Sequence, residues 1–122
     1  MTIGQVIDLV DTSHQNAFSK KVKVRWLAEL DGKIAVELMR MHPSQLQMLH
    51  YGEEDLDKEL LVSFPHDDIY PAWLGAKIDE ANGEYNKYAN SMEVYNGAYD
   101  NFACWFLNTY QPGQGYEERL YG

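Results

Sequence analysis

The chain has 122 residues, of which 45% are hydrophobic and 13% aromatic, so its composition is that of one folded domain and excludes a disordered chain. Its net charge of −9, concentrated in residues 42–122, argues against a general grip on nucleic-acid phosphate. The single cysteine, Cys104, excludes an internal disulfide and fits a reducing cytoplasm. No secretory signal opens the sequence, and no apolar run approaches the roughly 18 residues that cross a bilayer, so we expect no membrane association.

The first predicted helix begins after Thr2. Thr2 and Gln5 have the spacing of a capping box, in which each side chain bonds the backbone of the other residue. The residues that follow at helical spacing are Ile3, Val6, Ile7 and Val10. We therefore expect a short helix that ends near Asp11.

A second helix is predicted from Ser19, which can cap it, to Pro43, which disfavours helix in the residue before it. One face of this helix carries an apolar stripe of Trp26, Leu27, Leu30, Ile34, Leu38 and Met41.

Residues 42–66 show no clear helical period. We interpret them as a small β-hairpin in which Leu46 and Met48 face Leu60 and Val62. An acidic run that includes Glu53, Glu54 and Asp55 lies between the two apolar stretches.

The longest pattern begins at Asp67 or Asp68 and continues to Tyr110. Successive apolar residues are alternately four and three positions apart, and this helical spacing continues without a break across Asn82-Gly83. The pattern favours one continuous helix, kinked at the glycine. A helix of about forty residues would be about 60 Å long, so part of it should project beyond the domain. Residues 102–107 are apolar around the whole circumference, which predicts that neighbouring subunits cover them.

These elements predict an all-α fold: a small helical bundle with one long C-terminal helix and, between them, a short β-hairpin. We expect residues 1–110 to form a single domain and residues 111–122 to be a flexible tail, whose Tyr116 is more apolar than a solvated tail requires.

The sequence predicts no cofactor or metal site. The four histidines have no partner at zinc-ligand spacing. A helical Mg²⁺-dependent nucleotide hydrolase would need carboxylates converging from facing helices. The nearest candidates, Glu29 with Glu37 and Asp79 or Glu80 with Glu84, are better explained as solvated acidic faces.

The candidate functional residues are therefore contact residues. The first group is a basic cluster of Lys20, Lys21, Lys23 and Arg25, which is either a solvated face or the partner of acids on an identical neighbour, such as Glu53, Glu54 and Asp55. The second group is aromatic and comprises Phe102, Trp105, Phe106, Tyr110 and Tyr116. We expect both groups to contact other subunits.

Several blocks of the sequence resemble the small head-tail connector (head-completion or neck) proteins of tailed bacteriophages. The resembling stretch comprises Leu60-Leu61-Val62, Ile69-Tyr70 and a block from Trp73-Leu74 through Ala76-Lys77-Ile78-Asp79 and Ala81-Asn82-Gly83-Glu84-Tyr85-Asn86-Lys87-Tyr88 to Ala89-Asn90. Its most distinctive part is Ile78 to Tyr88. Thr2-Ile3-Gly4-Gln5, Asn16-Ala17-Phe18-Ser19 and Trp26-Leu27 are similar to the front of the same proteins.

The resemblance implies a helical, non-enzymatic subunit of a homo-oligomeric ring of about a dozen copies. Such a ring docks to the portal protein and to tail or neck proteins, and DNA meets it only as the passing genome. Its location would be the host cytoplasm during assembly and the virion neck afterwards. The alternatives are a tail-completion or other neck protein and, from another class, the small nucleotide hydrolase considered above.

Overall fold

A computed structural model describes residues 1–110 of the chain; the predicted tail 111–122, with Tyr116, lies outside the described residues. This part is mostly helical, which confirms the predicted all-α class. Four α-helices, α1 (Ile3–Asp11), α2 (Lys20–Glu37), α3 (Ile69–Ala81) and α4 (Tyr85–Thr109), are accompanied by two 3₁₀ turns at Pro43–Leu49 and Glu53–Asp55. None of the helices described in residues 1–110 is long and apolar enough to cross a membrane.

The two N-terminal helices begin where their capping residues predict. The Gln5 amide donates to Thr2 Oγ1 at 3.2 Å and the Thr2 amide to Gln5 Oε1 at 2.9 Å, which completes the capping box of α1. Ser19 caps α2 by accepting from the Val22 amide at 3.3 Å. Helix α2 ends earlier than predicted, at Glu37, and the chain turns sharply at Arg40, whose φ is +50°.

The predicted β-hairpin is wrong. Within residues 1–110 the only β pairing is an isolated bridge between Thr2 and Glu59. The backbone of the second apolar stretch pairs with the start of α1 instead: the Ile3 amide donates to the Lys58 carbonyl, and the Leu60 amide to the Met1 carbonyl. Val62 is buried among the helices, while Met48 is exposed and faces no strand.

The single rod predicted for residues 69–110 is also wrong, because the chain reverses at Asn82-Gly83-Glu84. Gly83 has a φ of +76°, a conformation that side-chain-bearing residues rarely adopt, and the Glu84 amide returns to the Asp79 carbonyl at 2.9 Å. Helix α4 packs back along α3, with the rings of Trp73 and Tyr95 5.1 Å apart. A C-terminal helix of 25 residues, about 37 Å long, remains.

The hydrophobic core lies between α1, α2 and α3, and α4 covers one side of it. The fully buried side chains of this core are Ile3, Val6, Ile7, Val10, Val24, Leu27, Leu30, Ile34, Ile69, Tyr70, Leu74 and Ile78. Helix α4 contributes only Tyr95 and Phe102 as buried residues. Met92, Ala98, Tyr99 and Phe106 pack partly buried against the core, and most of the other side chains of α4 are exposed.

Candidate functional site

A groove of about 900 Å³, here called the α2 groove, runs along the outer face of α2. One wall is α2 and the other is the segment from the first 3₁₀ turn to the second. The lining residues are Lys21, Arg25, Ala28, Glu29, Gly32, Val36, Leu46, Leu49, His50, Tyr51, Gly52, Glu53 and Glu54. Basic and acidic residues that the sequence assigned to different subunits thus line one groove of the same chain.

The charges across this groove are not joined directly. Among residues 1–110, no ion pair links Lys21 or Arg25 to the acids of the opposite wall, and Arg25 reaches only Glu29 on its own helix, at 4.0 Å. The charged side chains of both walls are therefore available to bind another charged group. A solvated ion pair along one helix contributes only a few tenths of a kcal/mol, so Arg25 is easily recruited elsewhere.

The basic cluster is split by the helix, because Lys23 faces the core side of α2. Its ammonium group lies 2.8 Å from the Asp11 carboxylate and is almost completely buried. Burial alone would raise the pKa of Asp11, but hydrogen bonds from Lys23 and Asn16 lower it below the ordinary value. Lys20 borders a separate, smaller cavity with Asp8 and Asp57. Lys23 is therefore an internal tie between α1 and α2.

The predicted aromatic turn forms a cluster at the C-terminal end of α4. Phe102 is buried, and its ring lies 5.8 Å from that of Phe106, which is half-buried and 5.1 Å from Tyr110. Trp105 stacks on His66 at 4.7 Å between ring centroids. Four of the five predicted aromatic residues thus lie together, and the fifth, Tyr116, lies outside the described residues.

This aromatic cluster is only half covered by its own chain. Trp105 remains 41% exposed and Tyr110 56% exposed, and Leu107 on the same turns is also exposed. Phe64, two residues before the ring that supports Trp105, is 84% exposed. Trp105 and Tyr110, whose rings are 5.7 Å apart, form an exposed apolar surface, here called the aromatic end of α4.

A buried polar network that the sequence analysis missed joins α2 to the rest of the fold. Asp31 is completely buried and accepts hydrogen bonds from Tyr51 Oη at 2.5 Å, Tyr70 Oη at 2.6 Å and the Leu61 amide at 3.1 Å. Burial raises the pKa of Asp31, and these three donors oppose that rise. A charged residue within the apolar stripe of α2, between Leu30 and Ile34, was the signal available in the sequence.

A second buried carboxylate, Asp79, ties together three parts of the chain. It lies 3.1 Å from His14 Nδ1 and accepts a 2.7 Å hydrogen bond from Ser91 Oγ. This is not the order of a hydrolytic triad, because both the imidazole and the hydroxyl contact the carboxylate rather than each other. The arrangement fastens the α1–α2 loop and α4 to α3.

The carboxylates considered for a nucleotide hydrolase have other partners. Glu37 accepts a 3.1 Å hydrogen bond from Tyr99 Oη, and Glu84 pairs with Lys87 at 3.1 Å. Within residues 1–110, no three histidine, cysteine or carboxylate side chains are placed to hold a metal ion.

Comparison of the chain with protein-family models, with curated proteins and with solved structures gives no match.

Proposed function

We propose that this protein is a structural subunit of a head-tail connector ring of a tailed bacteriophage. In this role it contacts identical neighbours, the portal protein and tail or neck proteins, and the genome passes through the ring. It assembles in the host cytoplasm and ends in the virion neck. The proposal rests on the resemblance, which spans most of residues 2–110, and, in the structure, on one observation: the aromatic end of α4 is exposed.

An exposed aromatic surface of this kind supports a contact function. Tryptophan and tyrosine are enriched at protein interfaces because they bury a large apolar area while their polar groups still find partners. Trp105 and Tyr110 have this character and are held in place by His66 and Phe106. The surface is therefore pre-ordered, which reduces the entropic cost of binding.

Assembly of a ring does not require the single rod that the sequence predicted. A projecting helix is not needed, since the reversed α3–α4 hairpin still leaves apolar side chains at one end of α4. The α2 groove lies on a different helix and has charges of both signs. Two dissimilar surfaces on one subunit are what a head-to-tail ring requires, because each copy contacts its two neighbours through different faces.

The strong negative charge is compatible with a channel for DNA. A net charge of −9 gives a predominantly repulsive field toward phosphate, so a ring of such subunits would let the genome slide without binding it tightly.

The test is the mass of the protein by light scattering over a concentration series, alone and with portal protein. The wild-type chain should form a multimer or a portal complex. Trp105→Ser should reduce this association at least tenfold, because it removes the centre of the aromatic end.

Tyr85→Ser is the matched control. Tyr85 lies at the opposite end of the same helix and is 71% exposed. Both variants therefore replace an exposed aromatic side chain of α4 by serine, but only Trp105→Ser changes the aromatic end. A wild-type chain that stays monomeric at every concentration and ignores portal protein would refute the proposal. Equal effects of Trp105→Ser and Tyr85→Ser would remove the aromatic end as the contact surface.

A further inference from the structure

The α2 groove has a charged end and an apolar end. The segment opposite α2 runs antiparallel to it, because Leu46 and Leu49 share the groove with Val36, whereas Asp57 borders a cavity with Lys20 at the start of α2. At the charged end, Lys21 and Arg25 on one wall therefore lie opposite Glu53 and Glu54 on the other.

The apolar end is open and unfilled by residues 1–110. A methyl group added at Gly32 would meet no atom within 4 Å, so the middle of the groove has room beside the helix backbone. Val36 is 54% exposed although its neighbours along the groove are apolar. A ligand for this groove should therefore combine an acid and a base with apolar residues that follow them.

The C-terminal part of this chain has that order. Glu117, Glu118 and Arg119 are followed directly by Leu120 and Tyr121. Neighbouring side chains of an extended segment point to opposite sides, so Glu118 can contact the basic wall of the groove while Arg119 contacts the acidic wall. We propose that residues 116–121 of this chain bind in the α2 groove, with Glu118 toward Lys21 and Arg25 and with Leu120 and Tyr121 at the apolar end.

The length of the segment agrees with this occupant. Tyr99 on α4 donates to Glu37, the neighbour of Val36, and Tyr110 lies eleven residues or about 17 Å further along α4, whereas the ten residues 111–120 can span up to about 33 Å. The segment that binds belongs to the same chain. The inference does not depend on the connector proposal, because the groove and the segment are both present in every copy.

Cysteine cross-linking of the full-length chain tests this placement. In a Cys104→Ser background, Val36→Cys is combined with Leu120→Cys and the protein is oxidised. We expect a disulfide yield at least fivefold above that of the control pair Val94→Cys and Leu120→Cys. Val94 is a valine of similar exposure on α4, about 24 Å along the helix from Tyr110, and Val36 adjoins Glu37, which contacts Tyr99 on the same helix, so the C-terminal segment is long enough to reach both positions.

Two substitutions at Gly32 separate occupancy of the groove from effects on the fold. Gly32→Phe should lower the Val36→Cys cross-linking yield at least threefold by filling the groove, whereas Gly32→Ala should leave it unchanged. Non-reducing gels distinguish a monomeric product, formed by the chain's own C-terminal segment, from a dimeric product formed by a neighbour; a monomeric product at the expected yield supports the proposal, and a mainly dimeric product overturns it.

Equal yields for the Val36 and Val94 pairs, with both variants folded by circular dichroism, would overturn the inference. That outcome would leave the connector proposal untouched, since the light-scattering test depends on Trp105 and not on the groove. Conversely, a monomeric chain with a high Val36–Leu120 yield would retain this inference and refute the connector.

Discussion

Tyr70 donates its hydroxyl hydrogen to the carboxylate of Asp31 over 2.6 Å and thereby joins α3 to α2 inside the core. The same hydroxyl oxygen accepts a 2.8 Å hydrogen bond from the Val62 amide. Tyr51 donates to the other oxygen of the carboxylate. This network holds the irregular segment between the first 3₁₀ turn and α3 against two helices.

Asp31→Ala should lower the free energy of unfolding by about 3 kcal/mol, because it leaves two buried phenols and the Leu61 amide without their acceptor. Urea denaturation at pH 7 measures this loss. Asp8→Ala, at an exposed position of α1, is the control and should change the free energy by less than about 0.5 kcal/mol. A similar small effect at Asp31 would show that the network contributes no net stability.

The same network predicts a loss of stability in alkali. Burial raises the pKa of Tyr51 and Tyr70 above the ordinary value, and the neighbouring charge of Asp31 raises it further. The folded chain therefore keeps these protons when the unfolded chain releases them. The stabilisation is complete below pH 10 and decreases as the pH rises above 10, by up to about 1.4 kcal/mol per pH unit for each phenol.

Urea denaturation at pH 8 and at pH 11 checks this expectation. Tyr70→Phe should be less stable at pH 8, since it loses a buried hydrogen bond, but its stability should decrease less steeply between the two pH values. An unchanged slope in Tyr70→Phe would mean that other groups cause the alkaline loss.

Local features of this fold were predictable from the sequence, because they depend on residues close together in the chain. The capping box of Thr2 and Gln5 and the cap at Ser19 both form hydrogen bonds within three residues, and both helices begin where predicted. The aromatic residues from Phe102 to Tyr110 were recognisable for the same reason, since they follow one helix.

Features that depend on the path of the chain were not predictable in this way. The apolar phase continues from α3 to α4 because both helices face the same core, so it cannot distinguish a straight rod from a hairpin. The sequence analysis treated the basic cluster as one surface, although Lys21 and Lys23, two residues apart on a helix, point in directions about 200° apart. Only the fold shows that Lys21 faces the same groove as Glu53, whereas Lys23 meets Asp11.

The reversal at Gly83 predicts opposite effects of alanine at two glycines. Gly83→Ala should cost about 1 kcal/mol, because its φ of +76° is unfavourable for a residue with a Cβ. Gly32→Ala should instead stabilise the protein by about 0.5–1 kcal/mol, since Gly32 lies inside α2 and an added methyl group meets open space. Thermal and urea unfolding measure both. A continuous helix through residue 83 would make both substitutions stabilising.

Tyr95 offers a prediction about a buried hydroxyl. Its phenol oxygen has no hydrogen-bond partner among residues 1–110, and burial, with the charge of Glu37, raises its pKa to about 12. Tyr95→Phe should therefore be neutral or stabilising by up to about 1 kcal/mol. Tyr99→Phe is the comparison, since Tyr99 donates to Glu37 and should lose stability. A cost above about 1 kcal/mol at Tyr95 would indicate an ordered water at its hydroxyl.

Lys23→Glu should destabilise the fold, whereas Lys21→Glu should not. The buried Lys23 ammonium group pairs with Asp11 at 2.8 Å, and a carboxylate there would face another carboxylate. We expect a loss of about 2 kcal/mol, less than for a fully buried pair because Asp11 is partly solvated. Urea denaturation should show it, and the swap Asp11→Lys with Lys23→Glu should recover part of it. Equal stability of the two lysine variants would contradict the internal tie.

Because Lys23 pairs with Asp11 inside the fold, assembly tests of the basic cluster should reverse the charge of Lys20 and Lys21 and leave Lys23 unchanged. Weaker assembly of a Lys23 variant would report unfolding rather than a lost contact between subunits.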